Sequence, residues 1–327
     1  MRTTNRGQKQ SKKDSLTAFK FIDLFAGVGG MRLGFESVGG HCVFSSEWDP
    51  FAQKTYQANF GEVPHGDITQ IDAAQIPSFD VLLAGFPCQP FSSIGKRQGF
   101  DHPTQGTLFY DVVRILRHHR PRGFLLENVS GLENHDEGRT LEIIEKSLTE
   151  LGYKYDYQVI DAVRFGVPQH RERIYIVGKR ARVGGRVEFS WPQGSNKVAG
   201  VGKFIQRGVL GHSISQHLQS VYIYKKKDGR PQVVDCDSDF PVKTLVASYH
   251  KIQRLTGTFV RDGETGLRLL TAEECKAIMG FPKSFKIPVS RTQMYRQMGN
   301  SVAVPVIRSL ARWMIDDLKV VASTRAL

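Results

Sequence analysis

One thiol in this chain sits where it could do chemistry. Cys88 lies in Gly85-Phe86-Pro87-Cys88-Gln89-Pro90, directly behind the apolar run Val81-Leu82-Leu83-Ala84. A buried strand that ends in a proline-shaped turn presents its next side chain at the carboxyl edge of a sheet, where open α/β sheets bind their ligands. As a thiolate, that side chain is a nucleophile. In isolation such a cysteine is more often inert core. Its company changes the reading: a glycine-rich turn at 27–30, a Glu127-Asn128-Val129 segment and a Gln169-x-Arg171-Glu172-Arg173 segment. Glu127 also admits a plainer role, a strand-end carboxylate paired with an arginine.

The chain that must position these groups has 327 residues, room for one large domain and a smaller one. Apolar content of 40% against 24% charged residues is that of a soluble globular protein. Lys and Arg number 45 against 32 Asp and Glu, a net +13. That excess suggests a polyanionic partner, most often nucleic acid, with a merely basic enzyme as the alternative. It gathers at Arg2, Arg6, Lys9, Lys12, Lys13 and Lys20, and again at Arg164, Arg171, Arg173, Lys179, Arg180, Arg182 and Arg186. Cysteines 42, 88, 236 and 275 stand far apart with no C-x-x-C pair, which argues against zinc and against a disulfide framework. A reducing, cytoplasmic setting follows, with Cys42, Cys236 and Cys275 read as structural. The histidines have no metal-like spacing, so no metal is expected. No apolar run reaches the ~18–20 residues that span a bilayer, so no membrane partner is expected. Residues 1–17 lack the apolar core of a secretory signal and read as a basic disordered tail.

Strands are predicted at 20–25, 41–46, 80–84 and 123–126. Helices are predicted from the glycine turn to about 38 and at 51–59, 108–118 and 140–151. Segments 157–161 and 174–177 could pair as antiparallel strands around Val167-Pro168. Strands alternating with helices predict an α/β fold, a doubly wound and mostly parallel sheet. From Trp191 to about 265 the chain is rich in Gly, Ser, Gln, Lys and aromatics and loses helical period, which predicts a smaller loop-rich domain. Thr271-Ala272-Glu273-Glu274 signals a capped helix start. A last helix carries Ile307, Leu310, Ala311, Met314, Ile315 and Leu318 on one face, to pack on the first domain. The expected division is a tail at 1–17, a catalytic and cofactor-binding domain at 18–190, the loop-rich domain at 191–265 and a return segment at 266–327.

Over roughly 18–190 and 266–320 the chain resembles the DNA (cytosine-5) methyltransferases of the bacterial restriction-modification type. The residues that carry the likeness occur in that family's order. They are Phe21-Ile-Asp-Leu-Phe-Ala-Gly-Val-Gly-Gly30, Glu47-Trp48, Gly66-Asp67-Ile68, the segment from Gly85 to Gln89, Glu127-Asn128-Val129, Gln169-x-Arg171-Glu172-Arg173 and Gly299-Asn300-Ser301-Val302. The glycine turn alone would also suit a dinucleotide site, but its Gly-x-Gly-Gly spacing departs from G-x-G-x-x-G. Glu47, some twenty positions on, can accept bonds from ribose hydroxyls. The resemblance implies an S-adenosyl-L-methionine site in which Trp48 stacks on adenine, Asp67 takes its amino group and Ile68 packs on the ring. Phe25, Gly27, Gly29, Gly30, Pro87, Leu108, Asn300, Ser301 and Val302 would surround the rest. Trp48 as a core aromatic and Asp67 as a solvated turn acid stay open on the sequence.

The same resemblance implies methyl transfer to C5 of a cytosine in a specific short double-stranded DNA sequence, on a base flipped out of the helix. Cys88 would add at C6, Glu127 would bind N3 and the exocyclic amine, and Arg173 would contact O2. Arg171 would support the site and a nearby phosphate. Ser92, Lys96 and Arg97 sit in a lid-like segment suited to phosphates. Its end departs from the family's Asp-x-Arg-Gly, reading His102-Pro103-Thr104-Gln105-Gly106. The family places target recognition at 191–265, and Thr244-Leu245 resembles a Thr-Leu element found there, which makes Thr244 a DNA contact. Gln232, Lys243, Ser248, Tyr249, His250, Gln253 and Arg254 are candidates for major-groove reading. A monomer acting on duplex DNA near the nucleoid, paired in function with a restriction endonuclease, completes the expectation. An RNA cytosine-5 methyltransferase, a non-catalytic DNA-binding regulator and, further off, a nicotinamide-dependent dehydrogenase are the alternatives.

Overall fold

Side chains along the strands alternate between two apolar layers, and that period of two fixes the architecture. The computed structural model describes residues 19–87 and 108–320. Cys88, Ser92, Lys96 and Arg97, with the predicted tail and lid, lie outside the described residues. The first elements are β1 (Phe19–Leu24), α1 (Gly30–Glu36), β2 (Gly40–Ser46), α2 (Pro50–Phe60), β3 (Val81–Ala84), α3 (Leu108–His119) and β4 (Gly123–Val129). Then come α4 (Arg139–Glu150), β5 (Tyr153–Asp161), β6 (Glu172–Arg180) and β7 (Gly185–Arg186). The sheet runs β2-β1-β3-β4-β6-β5-β7. β1 to β4 are mutually parallel, and β6 runs antiparallel to both β4 and β5.

Phe21, Val81, Leu83, Leu125, Tyr175 and Val177 face one layer with Met31 and Phe35 of α1. Ile22, Leu24, Leu82, Phe124, Leu126 and Ile176 face the other, with Val112 and Leu116 of α3 and Ile144 and Leu148 of α4. The predicted doubly wound sheet is therefore present, with its antiparallel pair around Val167-Pro168. The structure lengthens several elements. β4 continues to Val129, so Glu127 and Asn128 lie inside the strand and not after it. Their polar side chains hid this on the sequence, but backbone pairing to β6 continues through Val129↔Arg173.

A third core collects Val234, Val242, Leu245, Tyr249 and Phe259 with Cys275, Ile278, Met294, Tyr295 and Met298. Its elements are α5 (Gln216–Leu218), β8 (Gln232–Val234), β9 (Thr258–Val260), α6 (Ala272–Met279) and α7 (Arg291–Asn300). β8 and β9 form a separate parallel pair. α6 starts as its sequence predicts: Thr271 Oγ1 accepts from the Glu274 N–H at 3.1 Å, and Glu274 Oε2 accepts from the Thr271 N–H at 2.7 Å. Such a cap stabilises a helix by about 1 kcal/mol. α6 and α7 belong to this second lobe, whereas α8 (Val304–Asp316) returns to the sheet. Its Ile307, Leu310, Ala311 and Met314 join the α1 layer, with Ile315 and Leu318 packed beside them. Among the described residues no helix is long and apolar enough to cross a membrane.

Candidate active site

The carboxyl ends of β1 to β4 open on a cleft of about 520 Å³. Its floor is made by the turn after β1, where the chain reverses into α1 within five residues. Phe25 has φ 55°, Gly27 55° and Gly29 85°. Phe25 is not a glycine, so this conformation holds of the order of 1–3 kcal/mol of strain. A Cβ on Gly27 would meet no atom within 4 Å, so that side of the turn is open. Gly29 does not line the cleft. A Cβ there would strike the Phe60 ring, so its part is to turn the chain, which corrects the contact expected of it.

One wall holds Glu47, Trp48, Asp67 and Ile68. Glu47 Oε2 accepts from the Gly27 N–H and Oε1 from the Asp49 N–H, both at 2.8 Å. Burial pushes its pKa up, and these bonds partly counter that. Trp48 is 77% exposed, which removes the core-aromatic reading. Asp67 Oδ1 accepts from the Thr69 N–H at 3.0 Å and starts the single turn Ile68–Gln70. The carboxylate thus caps a turn and lines the cleft at once. Phe25, Gly27, Gly30, Pro87, Leu108, Asn300, Ser301 and Val302 also line it.

Four lining groups carry no role on the sequence, and two of them have an unpaired buried atom. Asp23 Oδ2 and Ser46 Oγ are buried without a hydrogen-bond partner. Desolvation holds Asp23 well above the usual carboxylate range, against the pull of Arg32. Orphaned buried polar atoms beside a cleft are what a polar ligand would satisfy. Asp23 carried a signal, an acid inside an apolar strand. Arg296 and Gln297 line the cleft too, with no local signature. Gln297 Oε1 accepts from Thr55 Oγ1 at 2.9 Å and its Nε2 donates to the Phe51 carbonyl at 2.8 Å, tying α7 to α2.

On the opposite side, Glu127 and Arg173 line the cleft from β4 and β6, with Arg173 Nε 3.1 Å from Glu127 Oε1. Burial raises the Glu127 pKa, and Arg173 and Arg171 lower it in part. Asn128 Nδ2 donates to the Phe86 carbonyl at 3.0 Å, which fixes the chain two residues before Cys88. Arg171 does not line the cleft. It is 2% exposed and donates to the carbonyls of Leu245 at 3.1 Å, Gly299 at 2.9 Å and Ser301. So enclosed, it has no path to a phosphate, and the phosphate contact expected of it is withdrawn. Gln169 is its companion: Oε1 accepts from the Leu245 N–H at 2.8 Å, and Nε2 donates to the Ile278 carbonyl at 3.1 Å. A Cβ on Gly299 would fall 2.2 Å from the Ala247 nitrogen, so only glycine permits this approach of the two lobes.

Thr244 sits at the same junction, its hydroxyl donating to the His170 carbonyl at 2.7 Å. That engages the donor a DNA contact would use. Three of the groove-reading candidates also turn inward. Gln232 bonds Lys243, Thr258 and Pro241, Tyr249 is buried, and Arg254 is 3% exposed. Cys42 and Cys275 are buried, and burial pushes the Cys42 thiol up to about 12. Among the described residues no cluster of His, Cys, Asp and Glu could hold a metal ion.

The family model described as C-5 cytosine-specific DNA methylase matches residues 19–316. The chain is 56% identical over 313 residues to the Type II methyltransferase M.MspI of Moraxella sp, covering 95% of this chain and 74% of that protein. It is 56% identical over 319 residues to M.BsuFI of Bacillus subtilis, covering 97% and 76%. M.HpaII of Haemophilus parainfluenzae is 41% identical over 95% of this chain and 93% of its own length. The solved structure of a DNMT2 variant from Spodoptera frugiperda matches with a TM-score of 0.72 at 23% identity, over 92% of this chain and 99% of that one. This last is a likeness of fold.

Proposed function

This chain belongs to the C-5 cytosine-specific DNA methylases, and from that premise we propose that S-adenosyl-L-methionine is its methyl donor and Cys88 its nucleophile. The cleft fits the cofactor. Its volume lies in the range of small-ligand sites. Gly27 leaves room for an amino-acid moiety, Glu47 offers remaining lone pairs to ribose hydroxyls, and the exposed Trp48 ring with Asp67 and Ile68 offers a seat for adenine. Asp23 Oδ2 and Ser46 Oγ await polar partners. When bound, the cofactor supplies a methyl group made electrophilic by its sulfonium.

Cytosine C5 is a poor nucleophile. The Cys88 thiolate adds at C6, and the electron pair of the C5–C6 double bond moves toward C5. Glu127, whose pKa burial raises, delivers a proton to N3, while Arg173 faces O2 and stabilises the charge that gathers there. With the cofactor bound, C5 would take the methyl group, the electron pair of the broken C–S bond would stay on sulfur, and the N3 proton would return to Glu127. A base, for which water is the candidate, removes the C5 proton, and the returning electron pair expels the thiolate. A stacked base cannot reach a sheet-edge thiol, so the cytosine is extruded, at a cost of roughly a few kcal/mol. Residues 191–265 serve target recognition in this scheme. The enzyme acts as a cytoplasmic monomer on duplex DNA, paired in function with a restriction endonuclease.

One observation carries the reading. The Glu127–Arg173 pair lines the same cleft as Pro87, the residue before Cys88. A target duplex with 5-fluorocytosine tests it, because fluorine cannot leave as a cation and the covalent adduct persists. A denaturant-resistant complex with the natural chain, and none with Cys88→Ser, is expected. Full turnover by Cys88→Ser would overturn the assignment.

A further inference from the structure

Gln253 is exposed, yet its amide is fixed in orientation. Its Oε1 accepts from Ser248 Oγ at 3.2 Å and from Thr256 Oγ1 at 3.0 Å. A carboxamide oxygen has two lone pairs, so both acceptor positions are filled. What remains for a partner is the Nε2 amide, which donates and cannot accept.

The segment that carries Gln253 is itself held rigidly beside the cleft. At its base, Ala247 abuts Gly299, a lining residue. Ile252, immediately before Gln253, has φ 54° and ψ 49°. A β-branched residue in the left-handed region is a true outlier, and such strain persists only where the surroundings over-determine it. Arg254 supplies that constraint from beneath. Its guanidinium donates to the carbonyls of Ile223 at 2.9 Å and of Lys226 and Arg230 at 3.0 Å, and grips both oxygens of Asp228. The Gly257 N–H closes the turn on the Gln253 carbonyl at 2.8 Å. With Arg254 inward, Lys251 and Gln253 are exposed, as are Lys225, Lys226 and Lys227 on the segment whose Lys226 carbonyl Arg254 holds.

We propose that Gln253 reads a guanine of the recognition sequence through its Nε2 amide in the major groove. A free glutamine pairs with adenine by accepting from N6 and donating to N7. With Oε1 filled, the accepting half of that pairing is lost. Guanine shows N7 and O6, two acceptors and no donor. Cytosine presents only an amine that would oppose the Gln253 donors, adenine offers N7 alone with its amine beside it, and thymine sets a methyl group beside its one acceptor. This inference rests on the function proposed above, which puts duplex DNA at the cleft.

The test compares the natural chain with Gln253→Ala and Gln253→Glu, expressed in cells without cytosine methylation, by bisulfite sequencing of their DNA. The natural chain is expected to require a guanine at one position where Gln253→Ala is relaxed by ~10-fold or more. Gln253→Glu should disfavour guanine there and favour cytosine, whose amine it can accept. An unchanged motif in Gln253→Ala, or relaxation at a position that is not guanine, would overturn the proposal. If the variants do not turn over, binding answers instead, with the natural chain's target duplex and copies carrying 7-deazaguanine at one guanine at a time. The natural chain should discriminate ~10-fold at one guanine and Gln253→Ala should not. Equal discrimination by both would sink the assignment. No C5 methylation by the natural chain would instead count against the parent function.

Discussion

The Nε of Arg173 lies 3.1 Å from Oε1 of Glu127, joining two antiparallel strands where both reach the cleft. Arg173 is two residues from the buried Arg171, and Asn128, next to Glu127, holds the carbonyl of Phe86. The acid that would serve the base and the turn that leads to the thiol are therefore set by neighbouring residues of one strand.

Replacing Glu127 with Gln should lower turnover by ~10²–10³-fold while keeping the fold, because it removes the carboxyl group proposed to protonate N3. It should also change stability in a pH-dependent way. The folded-state pKa of Glu127 is raised, so the natural chain is most stable below the unfolded value and loses stability as pH rises through the folded one. Glutamine has no such loss. Thermal unfolding at about pH 4 should show the two proteins nearly equal, and at about pH 8 Glu127→Gln should melt higher by ~2 °C. The same difference at both pH values would contradict the assigned shift.

Trp48→Ala should weaken S-adenosyl-L-methionine binding by ~10-fold or more, the scale of one lost aromatic stacking contact. The side chain is 77% exposed, so melting temperature should hardly move. Calorimetric titration reads the first effect, and turnover at saturating cofactor should remain close to that of the natural chain.

Arg171→Ala should destabilise the protein by ~3–5 kcal/mol, because three main-chain carbonyls, two of them buried, lose their donor. Arg171→Lys should recover only part of this, since one ammonium cannot span all three. Urea denaturation measures both. A phosphate ligand would behave in the opposite way, with stability unchanged and the salt slope of DNA binding reduced by about 1.

Gly299→Ala forces a methyl group to within 2.2 Å of the Ala247 nitrogen, a backbone atom that cannot step aside alone. A loss of ~1–3 kcal/mol is expected. Because Gly299 also lines the cleft, cofactor titration should show weaker binding alongside the lower urea midpoint.

What the sequence made legible is what local backbone requirements encode. Gly27 and Pro87 announce tight turns at strand ends, and the alternation through Phe21, Ile22, Leu82 and Leu83 announces a sheet covered on both faces. Longer-range partnerships left no such trace. Arg171 lies in a basic run and invites a phosphate reading, but its acceptors are 74, 128 and 130 positions away. Arg254 sits in a polar stretch that looks solvated, and only the path of residues 223–230 around it turns it inward. Ser46 resembles any strand end until its hydroxyl is found without a partner. Arg296 and Gln297 have no motif because their position depends on the packing of α7 against α2.

The fasteners between the two lobes reach almost entirely for main-chain atoms. Gln169 and Arg171 hold the amide and carbonyl of Leu245 and the carbonyls of Ile278, Gly299 and Ser301. His170 and Pro168 pair with the backbone of Val242 in the same manner. Main-chain atoms are common to every amino acid, so this seam is indifferent to most of the side chains it joins. A segment with different exposed residues between 248 and 265 could dock in the same register, provided Tyr249, Arg254, Phe259 and Val260 are kept for the core and the path through 242–247 is unchanged. The seam thus marks where one lobe can change its exposed residues without disturbing the cleft of the other.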